Sequence, residues 1–251
     1  MKFKTGLIVA ALSMGVAGVH AADGHGHTHW GYTGHGSPEN WGKLSPEFAA
    51  CATGKSQSPI NIVDTVEGDL PAIKANYRPS RVVVENNGHT IQANYTDSNN
   101  TLRIGDKVYT LKQFHFHVPS ENMIKGKSFP LEAHFVHADA KGNLAVLGVL
   151  YENGEANSRL APIWQAMPQK SGQKTALKQT FNAATLLPAS MDYYRFSGSL
   201  TTPPCSEGVS WLVLKTYDHI GKEQVEQFRR AMGGHNNSRP VQPINARVVV
   251  Q

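Results

Sequence analysis

The sequence predicts an α+β fold that is mainly β, with a large twisted, mostly antiparallel central sheet and a few short peripheral helices. Three observations carry that expectation: short segments rich in β-formers recur along the chain, turn residues separate them, and helical periodicity is almost absent. The chain has 251 residues, 40% of them hydrophobic and 17% charged. That is ordinary globular composition, and it allows a substantial core.

Taken in order, the first segment is of a different kind. Lys2 and Lys4 precede an apolar run from Gly6 to Val19, and Val19-His20-Ala21 offers the small residues a signal peptidase accepts. Residues 1–21 therefore read as a secretory leader. The run is shorter than the roughly 20 residues needed to cross a bilayer, and no later segment comes close, so no membrane span is expected once the leader is removed. Residues 22–37, crowded with glycine and with His25, His27, His29 and His35, read as an extended or mobile arm. Its histidines suit a solvated tail better than a preorganised metal site. No interior stretch has linker composition, so 38–251 is expected to be one domain.

Within that domain Val82–Val84, Thr90–Tyr95, Thr101–Ile104, Val108–Val118, Leu131–His137 and Leu144–Tyr151 read as strands. Asn87-Gly88, Gly105-Asp106, Gly126 and Gly142-Asn143 supply the reversals. Gly221–Met232 is the best helix candidate.

Charge and cysteines narrow the class further. The 24 basic and 19 acidic residues give +5, and loss of Lys2 and Lys4 leaves 22 against 19, or +3. The basic residues are scattered rather than striped, which argues against nucleic acid as a partner. Export to an oxidising compartment favours a disulfide between Cys51 and Cys205, the only two cysteines. So long a loop sets an upper bound of about 5 kcal/mol on its stabilisation. A cleavable leader with a disulfide fits a bacterial periplasm first and secretion second.

The chemistry lies in the strand Leu111–Val118. A period of two places Gln113, His115 and His117 on one face and Phe114, Phe116 and Val118 on the other. Same-face neighbours on a strand are roughly 7 Å apart, a span that two imidazoles can bridge to one ion. The next strand, Leu131–Val136, alternates likewise and puts Glu132, His134 and Val136 on one face. A third nitrogen from His134 would leave one tetrahedral position open, which separates a catalytic zinc from a closed structural one. Gln113 and Glu132 each precede a histidine by two positions on its own face, where they could fix its tautomer. His137 falls on the opposite face from His134 and reads as structural.

These residues also carry a family resemblance. Gln113-Phe114-His115-Phe116-His117, Glu132-Ala133-His134 and Ser199-Leu200-Thr201-Thr202-Pro203-Pro204 resemble the α-class carbonic anhydrases. The likeness extends from His29-Trp30-Gly31-Tyr32, through Gln57–Ile62, Asn86–His89 and Leu144–Gly148, to Asn237–Pro243. It implies one zinc per chain, bound by His115 and His117 through Nε2 and by His134 through Nδ1. The implied reaction is attack of zinc-bound hydroxide on carbon dioxide, giving bicarbonate and a proton.

In that reading Thr201 orients the hydroxide and donates to Glu121, Thr202 positions bicarbonate, and Val136, Val146, Leu200 and Trp211 wall the carbon dioxide pocket. His89 matches the proton shuttle, with Tyr32, Asn87 and Gln92 organising the water chain. The resemblance further implies cis peptides at Ser58-Pro59 and Pro203-Pro204, and the chain is expected to act as a monomer on a small-molecule substrate. Val118, Asn122 and Gln92 depart from the animal pattern, and none of the three removes a catalytic group. The rival class is a noncatalytic zinc-binding or adhesion module on the same scaffold, against which the full set of His115, His117, His134, Glu121 and Thr201 argues.

Overall fold

The computed structural model describes residues 29–251. The leader expected over 1–21, its cleavage junction, and His25 and His27 of the arm lie outside the described residues. In chain order the strands are β1 (Asn61–Ile62), β2 (Ile73–Asn76), β3 (Val82–Asn86), β4 (Ile91–Tyr95), β5 (Thr101–Ile104), β6 (Lys107–His117) and β7 (Met123–Ile124). They continue with β8 (Leu131–Ala138), β9 (Leu144–Asn153), β10 (Lys174–Ala176), β11 (Tyr193–Ser199), β12 (Glu207–Leu214) and β13 (Asp218–Ile220). Four short α-helices flank them: α1 (Trp41–Leu44), α2 (Ala50–Thr53), α3 (Ala161–Ala166) and α4 (Lys222–Ala231).

Eleven of the strands form one sheet, with a main path of β10-β3-β4-β6-β8-β9-β12-β11. β2 and β5 extend it alongside β6, and β13 pairs with β9, while β1 and β7 form a separate parallel pair. The mainly β, mostly antiparallel expectation is borne out. The exceptions in the large sheet are β12 and β13, both parallel to β9. A parallel neighbour needs a long crossover, and the chain between β9 and β12 supplies it, carrying α3, β10 and β11 on the way.

Each strand read from the sequence is present with its ends moved by at most a few residues. α4 fills Lys222–Ala231, with Gly221 and Met232 as its flanking caps and Val225, Phe228 and Ala231 on its buried face. The sequence pattern does not mark β1, β2, β7, β10, β11, β12, β13 or the one-turn helices.

The sheet's two faces serve different cores. Phe114, Phe116, Ala133, Phe135, Leu147 and Val149 belong to the larger apolar cluster, while Val146, Leu150, Phe196, Val209, Trp211 and Val213 belong to the other. Consecutive residues of β9 thus alternate between the two cores, while β6 and β8 alternate between the larger core and a face that carries Gln113, His115, His117, Glu132 and His134.

The N-terminal residues described here lie against this body. Gly31 N–H donates to Gly36 O (2.8 Å), and Trp41 Nε1 is 2.9 Å from the carbonyls of both Gly31 and Gly36. Cys51, in α2, is bonded to Cys205 across a sequence separation of 154 residues, with Cα atoms 5.0 Å apart. Ser58-Pro59 and Pro203-Pro204 are cis, and so is Val118-Pro119, which was not anticipated.

Candidate metal centre

Strand register assembles the site. In the β6–β8 ladder His115 lies opposite His134, and His117 opposite Glu132. All four side chains therefore project from one face. The ring centroids of His115, His117 and His134 lie 5.0, 5.3 and 4.6 Å apart pairwise, and one potential ligand atom from each falls within 4.8 Å of the others. Among the described residues this is the one cluster of three or more such side chains arranged to hold a metal.

Each ring has its far nitrogen occupied or closely approached. His115 Nδ1 is 2.8 Å from Gln113 Oε1, and His117 Nδ1 is 2.7 Å from the main-chain oxygen of Asn237. Against these acceptors both Nδ1 atoms act as donors, which frees Nε2 to face inward. His134 Nε2 stands 2.9 Å from Glu132 Oε1, a close contact rather than an aligned hydrogen bond. His117 Nε2 is buried with no partner among the described residues. Burying an unpaired imidazole nitrogen is costly, and a bound cation would relieve it, so these donors fit zinc.

Burial favours the neutral form of His115 and His117, the form that ligation requires. Burial, reinforced by His117 and His134, holds His115 well below the usual histidine range. Burial also pushes His117 down to about 4, against the opposing pull of Asn237 O and Glu132. Burial alone would raise Glu132, yet His134 and the donors of Asn122 outweigh it and leave the carboxyl lowered.

Glu121 sits behind the cluster, its Oε1 3.5 Å from His117 Nδ1 and accepting from Arg239 N–H at 2.8 Å. Burial lifts it to about 7, opposed by His134, the Arg239 amide and the Thr201 hydroxyl. Among the described residues its Oε2 has no direct hydrogen-bond partner.

Above the histidines opens a cavity of about 260 Å³. One wall is apolar: Val136, Val146 and Trp211 form a continuous cross-strand row over β8, β9 and β12, with Leu200 beside them. Trp211 also meets His134 edge-on at 4.8 Å. Thr201 and Thr202 line the cavity next to Leu200, and Tyr32, Asn87, His89 and Gln92 line its polar side. Tyr32 is kept protonated far above its ordinary range by burial and by the nearby Glu121.

His89 is half-buried and stacked on Trp30, ring centroids 3.7 Å apart and planes at 9°. Burial first, then the neighbouring His29, lowers its pKa below 6.5.

Every candidate residue named from the sequence, the disulfide pair aside, lies in or directly beneath this cavity. Three further residues take part without having been assigned a role from the sequence. Asn237 closes the site through its backbone carbonyl, while its side chain accepts from Val118 N–H and donates to the carbonyls of His89 and Phe116. Asn122 donates to Glu132, and Trp30 packs on His89. A backbone carbonyl leaves no residue-type signature, so Asn237 carries no local signal of this role. Trp30 carried one, as a large aromatic within a polar Gly/His stretch.

The comparisons with known proteins converge. The family model described as eukaryotic-type carbonic anhydrase matches residues 36–251. A carbonic anhydrase of Neisseria gonorrhoeae is 62% identical over 244 residues, covering 97% of this chain and 96% of that one. An α-carbonic anhydrase from Thermovibrio ammonificans, solved with the inhibitor sulfanilamide, superposes with a TM-score of 0.87 at 48% identity, over 90% of this chain and all of that one. Dioscorin complexed with ascorbate superposes at 0.82 with 31% identity, over 88% and 97% of the two chains.

Proposed function

The chain belongs to the eukaryotic-type, or α-class, carbonic anhydrase family, and on that premise we propose that it is an exported zinc enzyme that reversibly hydrates carbon dioxide to bicarbonate and a proton. The carrying observation is the trio His115, His117 and His134 at the base of a half-apolar cavity, with His117 Nε2 buried and unpartnered. Zinc held there supplies the Lewis acidity that makes water a nucleophile near neutral pH.

The protein's own groups do the rest. Gln113, Asn237 O and Glu132 orient the three imidazoles, so that His115 and His117 present Nε2 and His134 presents Nδ1. Thr201 accepts a hydrogen bond from the attacking oxygen and passes its own hydroxyl proton's bond to Glu121, aiming a lone pair at carbon. The row Val136, Val146 and Trp211, with Leu200, holds apolar carbon dioxide and excludes competing water, while Thr202 steadies the bicarbonate formed. His89 takes up the released proton at an imidazole nitrogen through water ordered by Tyr32, Asn87 and Gln92, then yields it to buffer. Its lowered pKa keeps it neutral, and so able to accept, at neutral pH.

The Cys51–Cys205 bond supports an oxidising compartment, which with the leader sequence we read as the periplasm. The catalytic body is 38–251, acting as a monomer. The full set of His115, His117, His134, Glu121 and Thr201 argues against a noncatalytic module.

Stopped-flow hydration of carbon dioxide tests the proposal. Activity is expected to vanish on exhaustive treatment with a zinc chelator and to return with one equivalent of zinc. Absent hydration, or hydration indifferent to the chelator, would overturn it.

A further inference from the structure

We propose that Gly148 is a positioning residue for the third histidine: by lacking a side chain it leaves the space in which the Glu132 carboxylate stands beside His134. The inference rests on reading His115, His117 and His134 as zinc ligands.

Gly148 interrupts an apolar run in β9, between fully buried Leu147 and Val149. Glycine inside a strand is less favourable than alanine, and such a glycine often marks the close approach of another group. Here that group is Glu132. A methyl carbon at position 148 would stand 3.0 Å from Glu132 Oε1, tighter than ordinary van der Waals contact, and 3.5 Å from Val213 Cγ2.

The backbone cannot move aside, because Gly148 is paired with His134 on β8 and with Val213 on β12. The carboxylate has little room either. Glu132 is fully buried, and its Oε2 accepts from the backbone N–H groups of Glu121 and Asn122, both at 2.8 Å. Its Oε1 accepts from Asn122 Nδ2 at 2.8 Å, and that amide is itself fixed by Ile60 N–H donating to Asn122 Oδ1. The contact with His134 Nε2 is the exception. At 2.9 Å it is close but not an aligned hydrogen bond, so it is the weakest of the holds on Oε1. A methyl group at 148 therefore displaces Glu132 at the expense of His134, whose ring loses the acceptor that orients it.

Loss of such an outer acceptor commonly weakens a metal site by about 10–100-fold. The measurement is the rate of zinc loss to excess chelator, read with a colorimetric zinc indicator, for the wild type, Gly148→Ala, Glu132→Asp and the double variant. Gly148→Ala is expected to speed zinc loss by about 10–100-fold. In the Glu132→Asp background the shorter side chain has withdrawn from the methyl, so adding Gly148→Ala is expected to change the rate less than about twofold.

An unchanged rate in Gly148→Ala, or the same acceleration in both backgrounds, would overturn the proposal, the latter because it signals packing damage independent of Glu132. Should Gly148→Ala fail to fold while the double variant folds, the clash with Glu132 is upheld; failure of both rejects it. A wild type that binds no zinc would instead reject the ligand reading itself.

Discussion

His89 illustrates how one side chain's surroundings set its use. Its ring lies flat against Trp30 and tilted toward His29, with ring centroids 6.4 Å apart, and it borders the same cavity as the three ligand candidates. Burial and the His29 imidazole both disfavour its charged form, so the pKa falls below 6.5. The sign follows: His89 is charged, and unable to accept, only below that lowered pKa, so the acid limb of turnover lies below pH 6.5. His89→Ala is expected to cut turnover in weak buffer by at least about tenfold, less than the 10²–10⁴ typical of proton transfer within a transition state, because solvent still competes. Added imidazole should restore it, with kcat/KM nearly unchanged. Turnover equal to wild type in weak buffer would remove His89 from the proton path.

At the scale of the element, β6 does two jobs through its alternation. His115 and His117 face the cavity, while Phe114 and Phe116 face the larger core. Phe114 packs against Phe135, Phe116, Tyr95 and Phe181, with ring centroids 5.2–6.0 Å apart. This apolar face is what holds the histidine face rigid. Phe114→Ala is expected to lower unfolding free energy by about 3–5 kcal/mol, measured by urea denaturation. A loss below about 1 kcal/mol would show that the strand is anchored elsewhere. The alternation was legible in the sequence because a strand's period is local. The companion β12 was not, although it supplies Trp211, because its value to the site comes from parallel pairing with β9 far away in sequence.

For the molecule as a whole, buried neutral histidines link stability to pH. His137 is fully buried between Tyr77 OH at 2.6 Å and Ala145 O at 3.2 Å, and burial depresses its pKa from 6.5 to about 4. Unfolded, it would take up a proton already near 6.5. Between those values the unfolded chain binds more protons, so stability is full above pH 6.5 and falls as pH drops toward 4. One such group adds a slope of about 1.4 kcal/mol per pH unit. His137→Gln is expected to flatten the decline in urea stability between pH 6 and 4.5 by roughly that amount. An unaltered slope would mean the ring is already charged in the fold.

Readable from the residues alone were the β class, the shared face of Gln113, His115 and His117, the matching face of Glu132 and His134, and, through resemblance, the chemistry those residues serve. These are consequences of local periodicity and residue type. The folded chain was needed for the register that sets His115 opposite His134, the Asn237 carbonyl that orients His117, the stacking of Trp30 on His89, and the empty volume at Gly148 that Glu132 borders. Each of these depends on backbone from distant parts of the chain meeting across the sheet, and neither a backbone carbonyl nor a missing side chain announces itself in a string of residue names.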